Sequence, residues 1–296
     1  MVSETVVHFP VMVEEVIKIL VWKEDGVYFD GTVGEGGHAR ALLERFPRLK
    51  IIGLDWDEEI LKVAEDNLRE FHDRVILKQA NYREVKKVLK TLGQEKFSGV
   101  FLDLGLSSFH LERSGRGFSF QRDEFLDMRF SKETSLTAYD ILNRSSLEEL
   151  VRIFEEFGEE RKAQAIAEAI VKERKKGEIH STAELREIIW KVYGGRRGKK
   201  DPATLVFQAL RIAVNKELEN LKGFLDDFLE ILEPGGRAVI ISYHSLEDRL
   251  VKRKFLEYSK KKFVNILTPK PLLPSSLEVA INPASRSAKL RGVEKI

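Results

Sequence analysis

The sequence has no cysteine among its 296 residues. That absence excludes a disulfide framework, a thiolate nucleophile and any cysteine-ligated metal, and it fits a reducing compartment. Long apolar runs are also missing. No stretch approaches the about 18 residues needed to span a bilayer, and the first residues lack the basic, apolar, small-residue order of a signal peptide. The expectation is a soluble, cytoplasmic protein that uses neither membrane nor metal. Nor is there an excess of one charge, since 50 Lys and Arg stand against 48 Asp and Glu for a net +2. Local basic runs survive that balance at Arg196-Arg197-Gly198-Lys199-Lys200 and Lys260-Lys261-Lys262. Such runs suit phosphate as well as plain solvent.

What is present is a globular composition, 43% hydrophobic and 33% charged, long enough for one large α/β domain or two domains. Helical apolar spacing in "VMVEEVIKIL" is followed by strand-like runs at "VYFD", "KIIGLD", "RVILKQAN" and "SGVFLDLG", with amphipathic stretches between them. This alternation predicts an α/β fold with a doubly wound, mostly parallel sheet. It stops near Phe109. From there to Lys200 only loop signals and helical patterns occur, notably "SLEELVRIFEEFG", "RKAQAIAEAIVKERKKG" and "TAELREIIWKVYG".

Asp201-Pro202 reads as an N-cap and first-turn proline opening one long helix through "LVFQALRIAVNKELENLKGFLDDFLEIL". "EPGG" punctuates its end, and a buried strand "RAVIISYHS" and a helix "LEDRLVKRKFLEYSKK" follow. The predicted organisation is one sheet domain built from residues 1–108 and 203–296, interrupted by an all-helical insertion at 109–202 that needs a core of its own. "FVNILTP" and "LEVAINP" are the last strand candidates, and "ASRSAKLRGVEKI" reads as a polar basic tail.

The chemistry gathers at strand ends. Asp30 closes the first strand, and Gly31, Gly34, Gly36 and Gly37 form the turn into the next helix, where glycine permits positive φ and close approach of a ligand to backbone. Asp55 closes the next strand about twenty residues on, where a carboxylate can take both ribose hydroxyls. Asp103 closes the fourth. Asn81-Tyr82 after the third offers an amide and an aromatic face to a purine. "GEGGHA" also satisfies the dinucleotide pattern, so NAD is an alternative. An S-adenosylmethionine site fits better, because Asp30 suits the ammonium of the methionine and no pyrophosphate has to be cradled.

The ordered motifs "DGTVGEGGHA", "GLDWD", "ANY", "FLDLGLSS", "EPGGRAVIISYHSLEDRLVK" and "NPASRSAKLR", with "HFPVMVEEV" and "DMRF…TAYDILN", closely resemble the bacterial ribosomal RNA small-subunit methyltransferase H family, older name MraW. The likeness covers nearly the whole chain. It implies a class I, Rossmann-like methyltransferase that uses S-adenosylmethionine to methylate N4 of one cytidine in 16S rRNA of the small ribosomal subunit, near the decoding centre. By position it implies cofactor contacts at Gly36, Gly37, His38, Asp55, Tyr82, Asp103 and His110; Asp30 and Gly34 join them from the glycine turn. The family usually carries Phe where Tyr82 stands and Gln where His110 stands.

Methyl transfer from a sulfonium is an in-line displacement that asks mainly for alignment and exclusion of water. An acceptor on the cytosine amine would favour its nucleophilic form. Asp103, the carbonyls of Leu104 and Gly105, and the hydroxyls of Ser107 and Ser108 are the candidates, in a place where many amino-methyltransferases carry Pro-Pro-aromatic. His244 sits at the end of the fifth strand as either a catalytic or a structural histidine. Phe109 and Tyr243 are candidates to stack a flipped base. Phosphate donors are sought in Arg113, Arg116, Arg122 and Arg129, in Arg196, Arg197, Lys199 and Lys200, and in Arg286, Lys289 and Arg291. "RSGRGFSF" mixes cations with Phe118 and Phe120 in a way that suits single-stranded RNA or an anchored loop. Competing readings are a small-molecule methyltransferase, an NAD-dependent oxidoreductase and a binding module without turnover. Oligomeric state stays open.

Overall fold

The computed structural model describes residues 10–195 and 201–296. His8 and the basic run Arg196, Arg197, Lys199 and Lys200 lie outside the described residues. Along the chain run helices α1 (Val13–Leu20), α2 (Gly37–Arg45), α3 (Glu58–Asn67), α4 (Val85–Leu92), α5 (Ala138–Arg144), α6 (Leu147–Gly158), α7 (Ala163–Glu173), α8 (Thr182–Val192), α9 (Ala203–Asn215), α10 (Glu217–Ile231), α11 (Ser245–Lys260) and α12 (Ser276–Ile281). The strands are β1 (Val27–Asp30), β2 (Lys50–Asp55), β3 (Val75–Gln79), β4 (Phe97–Asp103), β5 (Leu232–Ser242), β6 (Val264–Ile266) and β7 (Lys289–Lys295). No helix among the described residues is long and apolar enough to cross a membrane.

Two compact units result, one of Met1–Gly105 with Leu218–Ile296 and one of Leu106–Glu217. In the first, the strands form one sheet in the order β3-β2-β1-β4-β5-β7-β6, parallel from β3 to β5, with β7 antiparallel to both of its neighbours. Strand residues alternate between two cores. Tyr28, Ile51, Phe101, Val239 and Leu290 pack beneath α1, α2 and α3, whereas Phe29, Ile52, Val100, Leu102, Ile240 and Val293 pack beneath α4, α10 and α11. Burial on both faces explains why these strands read as continuous apolar runs. Each fully buried Leu, Ile or Phe contributes about 1.5–3 kcal/mol, so this double core carries most of the sheet's stability.

The second unit is helical. Helices α6, α7, α8 and α9 bury Phe154, Ile166, Ile170, Ile189, Val206 and Leu210. Gly158 lets α6 touch α9, because a Cβ there would lie 2.8 Å from the Leu205 carbonyl oxygen. Capping boxes start α5 (Thr137 with Asp140) and α8 (Ser181 with Glu184). Fully buried Asn215 accepts the Phe130 N–H at 2.8 Å and donates to the Met128 carbonyl at 2.7 Å, which pins the long loop before α5 to the end of α9.

Four expectations are corrected. "LEVAINP" is helix α12, because the Ser275 hydroxyl caps it by accepting the Glu278 N–H at 3.1 Å. The supposed tail contains β7, whose Leu290 and Val293 enter opposite cores. The single long helix is two, broken at Lys216, which adopts φ +51°. Finally α9, assigned to the sheet domain by its sequence, shares its core with the helical unit.

Candidate active site at the strand tips

Strand register sets this site. Asp30 pairs with Gly53 on β2 and with Phe101 on β4, so Asp55 and Asp103 each stand two residues past a partner of Asp30, on the same pleat. Three carboxylates therefore crowd the carboxyl edge of the sheet where strand order reverses, the usual ligand position in open α/β sheets.

Asp30 is the most constrained. It is 3% exposed, Oδ1 accepts the Thr32 N–H at 3.1 Å, and buried Oδ2 has no hydrogen-bond partner. Burial pushes its carboxyl up to about 8; the Thr32 N–H opposes that rise, and the charges of Asp103 and Asp55 add to it. Asp55 accepts the Gly34 N–H at 3.0 Å on Oδ2 and the Asp57 N–H at 3.0 Å on Oδ1. Asp103 accepts the Gly105 N–H at 3.1 Å on Oδ1, and its own N–H donates to Thr32 Oγ1 at 2.7 Å.

Buried His38, on the first turn of α2, faces Asp103 with Nδ1 3.9 Å from Oδ2. Its Nε2 lies 2.9 Å from the Val11 carbonyl oxygen. A carbonyl only accepts, so Nε2 carries a proton and Nδ1 is turned to the carboxylate.

The glycines of the turn have different reasons to be glycine. A Cβ at Gly31 would lie 2.4 Å from Leu102 Cδ2 and 2.8 Å from Tyr82 Cβ; at Gly37 it would crowd Pro10. Those two positions serve packing. Gly36 has φ +88° at the start of α2, and a Cβ there would also crowd Leu68. Only Gly34 combines a left-handed φ of +56° with open space, its nearest neighbour being the Thr32 oxygen at 3.8 Å. At Gly34, then, a ligand has room to approach backbone. Tyr82 opens the short helical turn after β3 and sets its ring edge-on to Phe224 at 5.8 Å, with Asn81 bracing the turn by accepting the Arg83 N–H at 2.9 Å.

The description "MraW methylase family" matches residues 5–296. The chain belongs to that family. It is 48% identical over 294 residues to the ribosomal RNA small subunit methyltransferase H of Thermotoga neapolitana, covering 98% of this chain and 96% of that one. The proteins of the same name from Thermosipho africanus and a Sulfurihydrogenibium species are 48% and 46% identical, covering 98% and 96% of this chain and 98% and 97% of theirs. The observed sheet order with an antiparallel β7 is that of class I, Rossmann-like methyltransferases.

Of the positions implied by the MraW likeness, Gly36, Gly37, His38, Asp55, Tyr82 and Asp103 all belong to the sheet unit, with Asp30 and Gly34. Ser107, Ser108 and His110 belong to the helical unit. There Ser107 Oγ lies 2.9 Å from His110 Nδ1 and also accepts the His110 N–H at 3.2 Å. The His110 ring is buried against Phe118 and Phe130, each 5.0 Å away between centroids.

His244 is the N-cap of α11. Its Nδ1 accepts the Glu247 N–H at 3.5 Å and its Nε2 lies 3.0 Å from Glu247 Oε1, while Glu247 Oε2 accepts the Tyr243 N–H at 2.9 Å. Nδ1 thus serves as the cap of α11, whereas buried Nε2 makes no hydrogen bond among the described residues. Thr32 went unnoticed in the sequence, although a hydroxyl residue between a strand-end Asp and a glycine is a signal for such bracing.

Several proposed phosphate donors are occupied within the fold. Arg116 is buried and donates to the carbonyls of Arg129 and Phe130 at 2.9 and 3.0 Å. Arg129 pairs with Asp127 and Arg291 with Asp248, in both cases as a fork. Arg113 lies over the Phe109 ring, and Arg122 donates to the Glu112 carbonyl. Phe118 stacks on Phe130 and Phe120 packs edge-on to Phe207, so "RSGRGFSF" is an anchored loop. Arg286 is exposed and Lys289 partly so.

Proposed function

We propose that this chain transfers the methyl group of S-adenosylmethionine to N4 of a cytidine in 16S rRNA of the small ribosomal subunit, near the decoding centre. It would do so in the cytoplasm. Family membership and the names of its relatives support the rRNA substrate class. The observation that carries the donor's identity is the orphaned, buried Oδ2 of Asp30 flanked by Asp55 and Asp103. A cationic ligand satisfies such a cluster, whereas the pyrophosphate of NAD would add charge of the same sign. The sequence alternative of NAD is therefore set aside.

In this reading Asp30 holds the ammonium of the methionine, Asp55 the ribose hydroxyls, and Gly34 admits the donor against backbone. Gly36, Gly37 and His38 shape the same turn, and Tyr82 offers its ring to the adenine. When bound, S-adenosylmethionine supplies an electrophilic methyl carbon. Asp103 would accept an N–H of the cytosine amine, turning its lone pair toward that carbon, and would receive the proton as the nitrogen–methyl bond forms and the sulfur–methyl bond breaks, S-adenosylhomocysteine being the leaving group. Ser107, Ser108 and His110 are proposed contributions of the helical unit, with Ser107 and His110 acting as a hydrogen-bonded pair. That unit is proposed to recognise RNA, with Arg196, Arg197, Lys199 and Lys200 as phosphate donors. His244 is proposed to cap α11 rather than to act on the substrate.

The test is labelled-methyl transfer onto small ribosomal subunits from a strain lacking the enzyme, followed by mass spectrometry of 16S rRNA fragments. Label confined to small metabolites would reject the RNA reading. Protection against melting by NADH but not by S-adenosylhomocysteine would reject the donor.

A further inference from the structure

Tyr243 follows β5, whose end stays beside that of β4 through the Leu104 N–H to the Ile241 carbonyl at 3.0 Å. Its ring lies over the chain at Gly105, where a Cβ would approach Cε2 and Cζ to 2.8 and 2.9 Å. Its N–H is held by Glu247 Oε2 at 2.9 Å. The Asp103 carboxylate stands beside the ring, since the same Cβ position at Gly105 would meet Asp103 Oδ1 at 3.2 Å, and both its charge and its hydrogen-bonding capacity act on the phenol. Burial pushes the phenol well above its ordinary value, and the charges of Asp103, Glu247 and Glu278 facing it push the same way. The proton therefore stays on Tyr243 throughout the neutral range, and the phenol is a permanent donor.

We propose that Tyr243 is a positioning residue for methyl transfer: its hydroxyl and the Gly105 amide clamp the Asp103 carboxylate in the orientation that receives the target amine. The inference rests on the reading of Asp103 as that acceptor. It replaces the sequence expectation of Tyr243 as a stacking platform. A carboxylate with two fixed donors keeps its other lone pairs aimed, and catalysis depends on such aim more than on affinity.

Tyr243→Phe keeps the ring and removes the clamp. The expected result is a kcat about tenfold lower, with KM for the donor and affinity for S-adenosylhomocysteine changed less than about twofold. In an Asp103→Asn background, measured under single turnover, the same substitution should cost less than about twofold. A readout free of turnover is alkaline difference spectroscopy. One of the 6 tyrosines should titrate late, vanish in Tyr243→Phe and titrate earlier in Asp103→Asn. A wild-type kcat in Tyr243→Phe, equal losses in both backgrounds, or no spectral change in Asp103→Asn would overturn the proposal while leaving Asp103 as acceptor. Wild-type rates in Asp103→Asn would overturn the acceptor reading itself, and this inference with it.

Discussion

The Thr32 hydroxyl accepts the backbone N–H of Asp103 at 2.7 Å, tying the first turn after β1 to the tip of β4. Thr32 also donates its own N–H to Asp30 at 3.1 Å. Thr32→Val keeps the shape and removes the acceptor, leaving the Asp103 N–H unpaired at a cost of about 1–3 kcal/mol. A lower melting temperature and weaker binding of S-adenosylhomocysteine are expected, both largely restored in Thr32→Ser. Calorimetry and thermal melts check this, and an unchanged valine variant would show the tie to be incidental.

Asp30 sets a pH dependence of known sign. Its carboxyl titrates at about 8 in the folded protein against 3.8 when unperturbed, so between those values the folded state binds more protons than the unfolded one. Stability from this group is therefore lost as pH rises from about 4 to about 8, at up to about 1.4 kcal/mol per pH unit. In the donor-free protein Asp30→Asn should melt higher than wild type, by a margin that widens with pH across that window. Binding a cation needs the charged form, so wild-type affinity for S-adenosylmethionine should rise over the same window and that of the Asn variant should not. Parallel melting curves at all pH values would contradict the assignment.

Gly31 and Gly34 should separate on substitution by alanine. At Gly31 the new methyl would meet Leu102 and Tyr82 inside normal contact, so loss of stability is expected to dominate and binding to fail with it. At Gly34 there is space but φ is +56°, which costs about 1 kcal/mol. Gly34→Ala should keep most of its stability and lose affinity for S-adenosylhomocysteine. Urea titration beside calorimetry distinguishes the two, and equal behaviour would argue against ligand approach at Gly34.

Asn215 links the long loop of the helical unit to α9 through bonds to Phe130, Met128 and, at 2.9 Å, the Arg211 carbonyl. Asn215→Leu would strand the part-buried Phe130 N–H and the buried Met128 carbonyl, a loss of about 2–4 kcal/mol. Urea unfolding should show an earlier midpoint. A variant of wild-type stability would mean that the loop is held by its apolar anchors alone.

The site was legible where residue type and strand end coincide: Asp30, Asp55 and Asp103 each close an apolar run, and the turn glycines follow the first. Tyr243 was not legible in its role, because its partners Asp103 and Glu247 are brought to it by strand order and by α11. Strand β7 was hidden by Lys289, Arg291 and Glu294, whose charges imitate a solvated tail. Arg291 enters the core only because Asp248 on α11 meets its guanidinium at 2.7 Å. The reverse error at α12 arose because Leu277 and Ile281, exposed on a short helix, imitate a buried strand.

By itself the sequence determined the alternation of strand and helix, the helical insertion, the acidic strand ends and the family, because each is written in local periodicity, capping chemistry or an ordered motif. Tertiary structure alone decided which carboxylate would lose its solvent, which glycine would face open space, and which hydroxyls would brace Asp103. Those properties depend on distances between segments far apart in the chain, and on desolvation, which a residue acquires only from neighbours that folding brings to it.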